Sequence, residues 1–166
     1  MNDFSTHIKI IDKVEMPHVL NFVLDKLSNY DVRLLESIKL LPLNKKALLH
    51  GCCTYPVRTK PRARTFKSGY RIRASVNIEL SPPFVYNHWG RIPSRSYQQG
   101  WYSGAKEFRY DDLEQAAVHT LSHEAFHMLA HSRQVKEKNT EANANWFADL
   151  WLEEYCLWAE VDVAGA

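Results

Sequence analysis

From Met16 to Leu27 the apolar residues Val19, Leu20, Val23, Leu24 and Leu27 recur every three or four positions. That is the spacing of an amphipathic helix, and Pro17 suits its first turn. Residues 30–41 carry Val32, Leu34, Leu35, Ile38 and Leu41, which fit a helix better than a strand but lack clear caps. Residues 1–42 are therefore expected to be an N-terminal helical region. Residues 46–56 (KALLHGCCTYP) read as a short strand. From residue 69 the period changes: Ile72, Ala74, Val76, Ile78 and Leu80 alternate with Arg71, Arg73, Ser75, Asn77 and Glu79 up to residue 81. This pattern predicts a strand with one face in the core and the other in water. Between the two strands, PVRTKPRARTFKSG is too rich in proline and charge for either element, and reads as the tip of a long hairpin spanning residues 43–81.

Residues 82–110 hold Pro82, Pro83, Gly90, Pro93, Gly100 and Gly104 among many aromatics and are expected to be irregular. Asp111 or Asp112 can then cap a helix over residues 112–132. A second helix, residues 140–159, follows the polar break SRQVKEKN. The order predicts an α+β fold: one domain over residues 1–166, with a small antiparallel or mixed sheet, a long helix and a C-terminal helix behind it.

Composition narrows the class. A chain of 166 residues makes about one domain, and 45% hydrophobic with 6 Gly and 7 Pro rules out disorder and collagen. No apolar run has the 18 or more residues of a membrane span, so no membrane partner is expected. Asp3, Lys9, Asp12, Lys13 and Glu15 fall where a signal peptide needs an apolar block. Cys52, Cys53 and Cys156 are a poor disulfide framework, which suits a reducing, cytoplasmic setting. The net charge of +2 conceals a division along the chain. Residues 51–110 hold 11 Lys and Arg against 2 Asp and Glu, whereas residues 111–166 hold 3 against 11. Such a chain is expected to present a basic face and an acidic face.

The chemistry concentrates in His123-Glu124-Ala125-Phe126-His127, an HExxH pattern. On a helix, residues four apart project from one side, about 6 Å apart along the axis, so two imidazoles can hold one zinc ion. Glu124 is then placed to act as general base on a water at the metal. Catalytic zinc sites usually take a third protein ligand. Glu141 and His131 are the candidates. His131 lies two turns from His123, about 12 Å along a straight helix, while Glu141 starts the next helix and returns to the metal if that helix runs antiparallel. Glu141 is favoured; a third His at the metzincin spacing is absent, because position 133 is Arg133. Asn145, or Asp149, one and two turns further on, can accept the second ring N–H of a ligating His. His119 extends the same side of the first helix and is a candidate to reach substrate. Tyr155, Tyr102 and His119 are candidate donors to a developing oxyanion.

The basic segment is the second signal. Arg58, Lys60, Arg62, Arg64, Lys67, Arg71 and Arg73 fall together with Tyr55, Phe66 and Tyr70, and Trp89, Tyr97, Trp101 and Tyr102 come after them. The plainer reading is a solvated hairpin tip or a groove for acidic peptides; the alternative is a surface for single-stranded nucleic acid.

HEAFHMLAH followed by EANANWFA (residues 123–131 and 141–148) resembles the gluzincin-type metallopeptidases, in particular the ImmA/IrrE-like family. Asn143 replaces that family's second Glu. The stretches LNKKALLHGCC, VNIELSP and DLEQAAVHTLSHEAFH are similar instead to SprT-like zincins, which complete their site with a later His that this chain lacks. Together the two resemblances cover about residues 43–150. They imply a minimal zincin that cleaves peptide bonds of a protein substrate, with His123, His127 and Glu141 on zinc and Glu124 as base. The strand over residues 71–80 would pair with the extended substrate. The SprT-like resemblance also implies recruitment to DNA through the basic hairpin, with Arg62, Arg64, Lys67, Arg71 and Arg73 as contacts. A non-enzymatic module closed by zinc is the third reading, and it predicts a fourth protein ligand.

Overall fold

The computed structural model describes residues 7–44, 46–96, 98 and 100–164. Residues 1–6, Lys45, Tyr97, Gln99 and residues 165–166 lie outside the described residues, and with them the aromatic candidate Tyr97 and the start of the N-terminal region.

The N-terminal region is not helical throughout. Strand β1 (Lys9–Asp12) leads into helix α1 (Pro17–Leu27) and then strand β2 (Leu35–Pro42), and the two strands pair in parallel. Residues 35–41 looked helical because β2 is an inner strand: Leu35, Ile38 and Leu40 are fully buried and the row has no clean alternation. A strand covered on both faces reads as a continuous apolar run, which periodicity cannot tell from a buried helix. α1 forms where its spacing predicts, burying Val19, Leu20, Phe22, Val23 and Leu27.

Strand β3 (Leu49–Thr54), the small pair β4 (Val57–Arg58) and β5 (Phe66–Ser68), and strand β6 (Tyr70–Val76) form the expected long hairpin with the basic loop at its tip. β6 is shorter than its alternation. After Val76 the chain turns on Asn77, whose Oδ1 accepts from the Glu79 N–H at 3.0 Å, so Ile78 and Leu80 stand exposed. Ser75 and Asn77, expected in water, are buried. The sheet order is β1-β2-β6-β3, with β2 and β6 parallel and β3 and β6 antiparallel. β6 is thus paired on both sides and cannot add a substrate strand; the outer strand on that side is β3.

Residues 82–110 are not irregular. Strands β7 (Phe84–Pro93) and β8 (Trp101–Tyr110) pair from Phe84 opposite Tyr110 to Pro93 opposite Trp101. Three of the residues that looked like breakers are accommodated within the ladder, where Gly90 faces Gly104 and Pro93 ends its strand, while Pro82, Pro83 and Gly100 lie outside it.

Helix α2 (Leu113–His131) begins where Asp112 accepts from the Gln115 N–H at 2.7 Å. It is buried on nearly every side between the sheet, α1 and helix α3 (Glu141–Ala164). The β7–β8 hairpin packs on α3 and forms a second small core from Phe84, Phe108, Tyr110 and Ala116. A helix apolar all round belongs at the centre of a fold, and this one carries the HExxH residues there.

Candidate metal centre

α2 ends on a left-handed residue. Arg133 has φ 61° just after Ser132, and the Gln134 N–H reaches back to the Leu129 carbonyl at 2.8 Å. This closing turn reverses the chain. α3 then runs antiparallel to α2, as successive contacts show: Glu141 meets His123 and His127, Asn145 meets His123, Asp149 meets His119, and Tyr155 meets Glu114. The return that a third ligand at Glu141 requires is therefore present.

His123, His127 and Glu141 bring ligand atoms within 4.8 Å of one another. The two Nε2 atoms lie 3.1 Å apart, and the Glu141 oxygens stand 3.2 Å from His123 and 3.5 Å from His127. Both Nδ1 atoms face side-chain carboxamides. His123 Nδ1 is 2.7 Å from Asn145 Oδ1 and His127 Nδ1 is 2.6 Å from Asn139 Oδ1. The Asn145 amide can stand in only one orientation, because its nitrogen lies 2.5 Å from the Trp89 carbonyl, which only accepts. Its oxygen must then face His123, whose Nδ1 carries the proton and whose Nε2 keeps a lone pair. With the same tautomer at His127, whose Nδ1 faces the Asn139 oxygen, two imidazole lone pairs and a carboxylate converge on one point, an arrangement that a cation stabilises and that repels itself without one. The donor set fits a metal ion.

Where a proton takes the place of a cation on His123 Nε2, the same convergence governs the electrostatics. The Glu141 carboxyl is held down to about 2, chiefly by the hydrogen bond that proton makes. Burial opposes a charged His123 ring, yet the Glu141 and Glu124 carboxylates and Asn145 outweigh it and raise its pKa. Glu124 is 7% exposed, beneath β3, where burial pushes its carboxyl up to about 7 against the His123 charge and the Cys53 backbone N–H.

The cleft above these residues encloses about 440 Å³, and Leu49, His50, Gly51, Cys53, Tyr55, Tyr86, His88, Tyr110, His119 and Thr120 line it with them. His131 is not a ligand: its Nδ1 meets the Tyr70 hydroxyl at 2.7 Å and its ring stacks on Tyr55 at 4.3 Å. His119 is buried beside the cleft, 3.1 Å from the Tyr110 hydroxyl, and its Nε2 lies 3.4 Å from Asp149 without a well-formed hydrogen bond. Asp149, the second candidate for orienting a ligand, instead meets His119 and Lys106. Tyr155 donates to Glu114, and neither it nor Tyr102 lines the cleft. Cys52 and Cys53 are half-buried free thiols, and burial together with Glu124 and Cys52 pushes Cys53 up to about 12. Arg58, Lys60, Arg62, Arg64 and Lys67 are exposed on the hairpin tip; Arg71 pairs with Glu36 at 2.9 Å, and Arg73 is exposed on β6.

Two residues of the centre escaped the sequence. Asn139 sits in the polar break, where no periodicity marks it, and its amide also reaches the Tyr55 hydroxyl at 3.1 Å. His88 sits on β7, in the segment that read as irregular. The carboxamides carry a prediction: Asn145→Ala weakens metal binding about 10–100-fold without unfolding the chain, as measured by chelator competition and circular dichroism.

Compared with known proteins, the chain matches no family model, no curated protein and no solved structure.

Proposed function

We propose that the protein is a zinc-dependent metallopeptidase acting on a protein substrate. The observation that carries this reading is the convergence of His123, His127 and Glu141, with a buried carboxylate, Glu124, beside them in an open cleft. Two imidazoles and one carboxylate are a ligand set that zinc takes in hydrolases, with a further position left open. Zinc would supply Lewis acidity, polarising a peptide carbonyl and making water acidic near neutral pH. Glu124 takes the proton of the attacking water and passes it to the leaving amine. Its carboxylate sits directly beneath Gly51 of the outer strand, where a Cβ would lie 2.1 Å from Oε1. An extended peptide is offered the free edge of β3, which lines the cleft through Leu49, His50 and Gly51. Asn145 and Asn139 hold the two imidazoles with Nε2 inward. The absence of His131 from the set of ligand atoms favours this reading over a closed structural site.

Metal analysis tests it. Purified protein is expected to hold one zinc per chain, and His123→Ala/His127→Ala to hold none; zinc retained by the double variant would refute the assignment. Zinc at about 100 times its Kd adds about 2.7 kcal/mol to stability. For a chain of this length that raises Tm by about 5–10 °C, read by thermal melting with and without a chelator.

The five exposed cations on the β4–β5 tip favour a second reading, recruitment to single-stranded nucleic acid. It predicts salt-dependent binding that is lost when Arg62, Arg64 and Lys67 are neutralised.

A further inference from the structure

Asn145 faces three groups, and its orientation fixes a second imidazole on the hairpin side of the cleft. Its nitrogen donates one hydrogen to the Trp89 carbonyl at 2.5 Å and lies 3.2 Å from His88 Nδ1. Because the carbonyl requires the NH2 group on that side, His88 Nδ1 is the acceptor of the second hydrogen. A neutral imidazole that accepts at Nδ1 carries its proton on Nε2. The tautomer of the metal ligand His123 and that of His88 are thus fixed by a single side chain. The His88 ring is also held in plane, stacked on Tyr86 with centroids 5.6 Å apart and 12° between planes, and edge-on to His123 at 6.4 Å and 89°. The ring lines the cleft with Glu124 and the three ligands. Among the described residues no protein group accepts from its Nε2–H.

We propose that His88 is a catalytic residue, presenting its Nε2–H to the carbonyl oxygen of the scissile peptide and stabilising the negative charge that develops there. The role rests on the metallopeptidase reading above. It places the donor on β7, which packs on α3 while β3 packs on α2, and both strands line the one cleft, so that a substrate lying along β3 would come within reach of both the metal site and His88. No proton leaves His88 in this step: the imidazole stays neutral, and the hydrogen bond strengthens as the oxygen gains charge.

The test uses the full chain at saturating zinc and two kinds of measurement. Nitrogen NMR of the ring reads the tautomer whether or not the protein cleaves anything. Nε2–H is expected in the native chain, and Asn145→Ala is expected to mix the tautomers; Nδ1–H in the native chain, or zinc on His88, would overturn the proposal. With a fluorescent casein substrate, His88→Ala is expected to lower kcat about 10²–10³-fold with KM and zinc content little changed. His88→Gln, whose amide nitrogen reaches the same place, should recover most of that loss. Equal kcat in His88→Ala and the native chain would overturn the role of His88. A zinc-loaded native chain that cleaves no casein would instead count against the metallopeptidase reading, and the role of His88 would fall with it.

Discussion

Glu124→Gln is expected to keep the metal and lose about 10²–10⁴-fold in kcat/KM on any peptide the native protein cleaves. The change preserves shape. Gln fills the same volume beneath β3, and its carbonyl oxygen can still face the Cys53 backbone N–H, whose pull lowers the carboxyl's pKa. The ligand atoms on His123, His127 and Glu141 are untouched. Among the described residues lining the cleft, what disappears is the only carboxylate apart from the ligand Glu141. Zinc content, Tm and cleavage rate measured on one preparation separate the possibilities. Metal retained with cleavage lost supports Glu124 as the base. Cleavage that survives at the native rate removes Glu124 from the mechanism, and metal lost with cleavage means the carboxylate serves the ligands instead.

α2 and α3 were legible in the sequence almost to their ends, because Asp112 is a capping residue and the polar break after His131 separates two long apolar patterns. Those helices, once antiparallel, dictate Glu141 and Asn145, since residues four apart on α3 face residues four apart on α2. β2 and β7 were not legible, for opposite reasons. β2 is too apolar for its period to show. β7 and β8 carry glycines and a proline whose usual meaning is a break, and only the opposed strand shows that Gly90 and Gly104 sit across from each other. The loss of β7 cost His88. Asn139 was invisible for a third reason: a polar residue in a polar loop gains its role from a tertiary contact alone. The alternation in β6 misled about the edge, since a half-solvated face says nothing about which neighbours a strand has. The division of charge also acquires a structural counterpart, because Lys106 of the basic segment meets Asp149 of the acidic one at 2.6 Å.

Gly51→Ala is expected to lower kcat/KM about 10²-fold and stability by about 1–3 kcal/mol, from a single methyl group placed outside the ligand set. Gly51 has no backbone need of glycine, since its φ is not in the left-handed region. Its reason is proximity: a Cβ there would lie 2.1 Å from Glu124 Oε1 and 2.8 Å from Cδ. A glycine inside a strand is where another group comes close, and here that group is the proposed base. The carboxylate has little room to retreat, being 7% exposed between β3 and α2. Either β3 lifts from α2 or Glu124 rotates away from the ligands; both move the base by about an ångström or more, which is enough for a 10²-fold loss. A double-variant cycle isolates the cause. In a Glu124→Ala background the space is vacant, so adding Gly51→Ala should cost almost no stability, and the coupling between the two sites should equal most of the single-variant loss. If Gly51→Ala destabilises both backgrounds equally, the glycine serves the pairing of β3 with β6 and not the seating of Glu124.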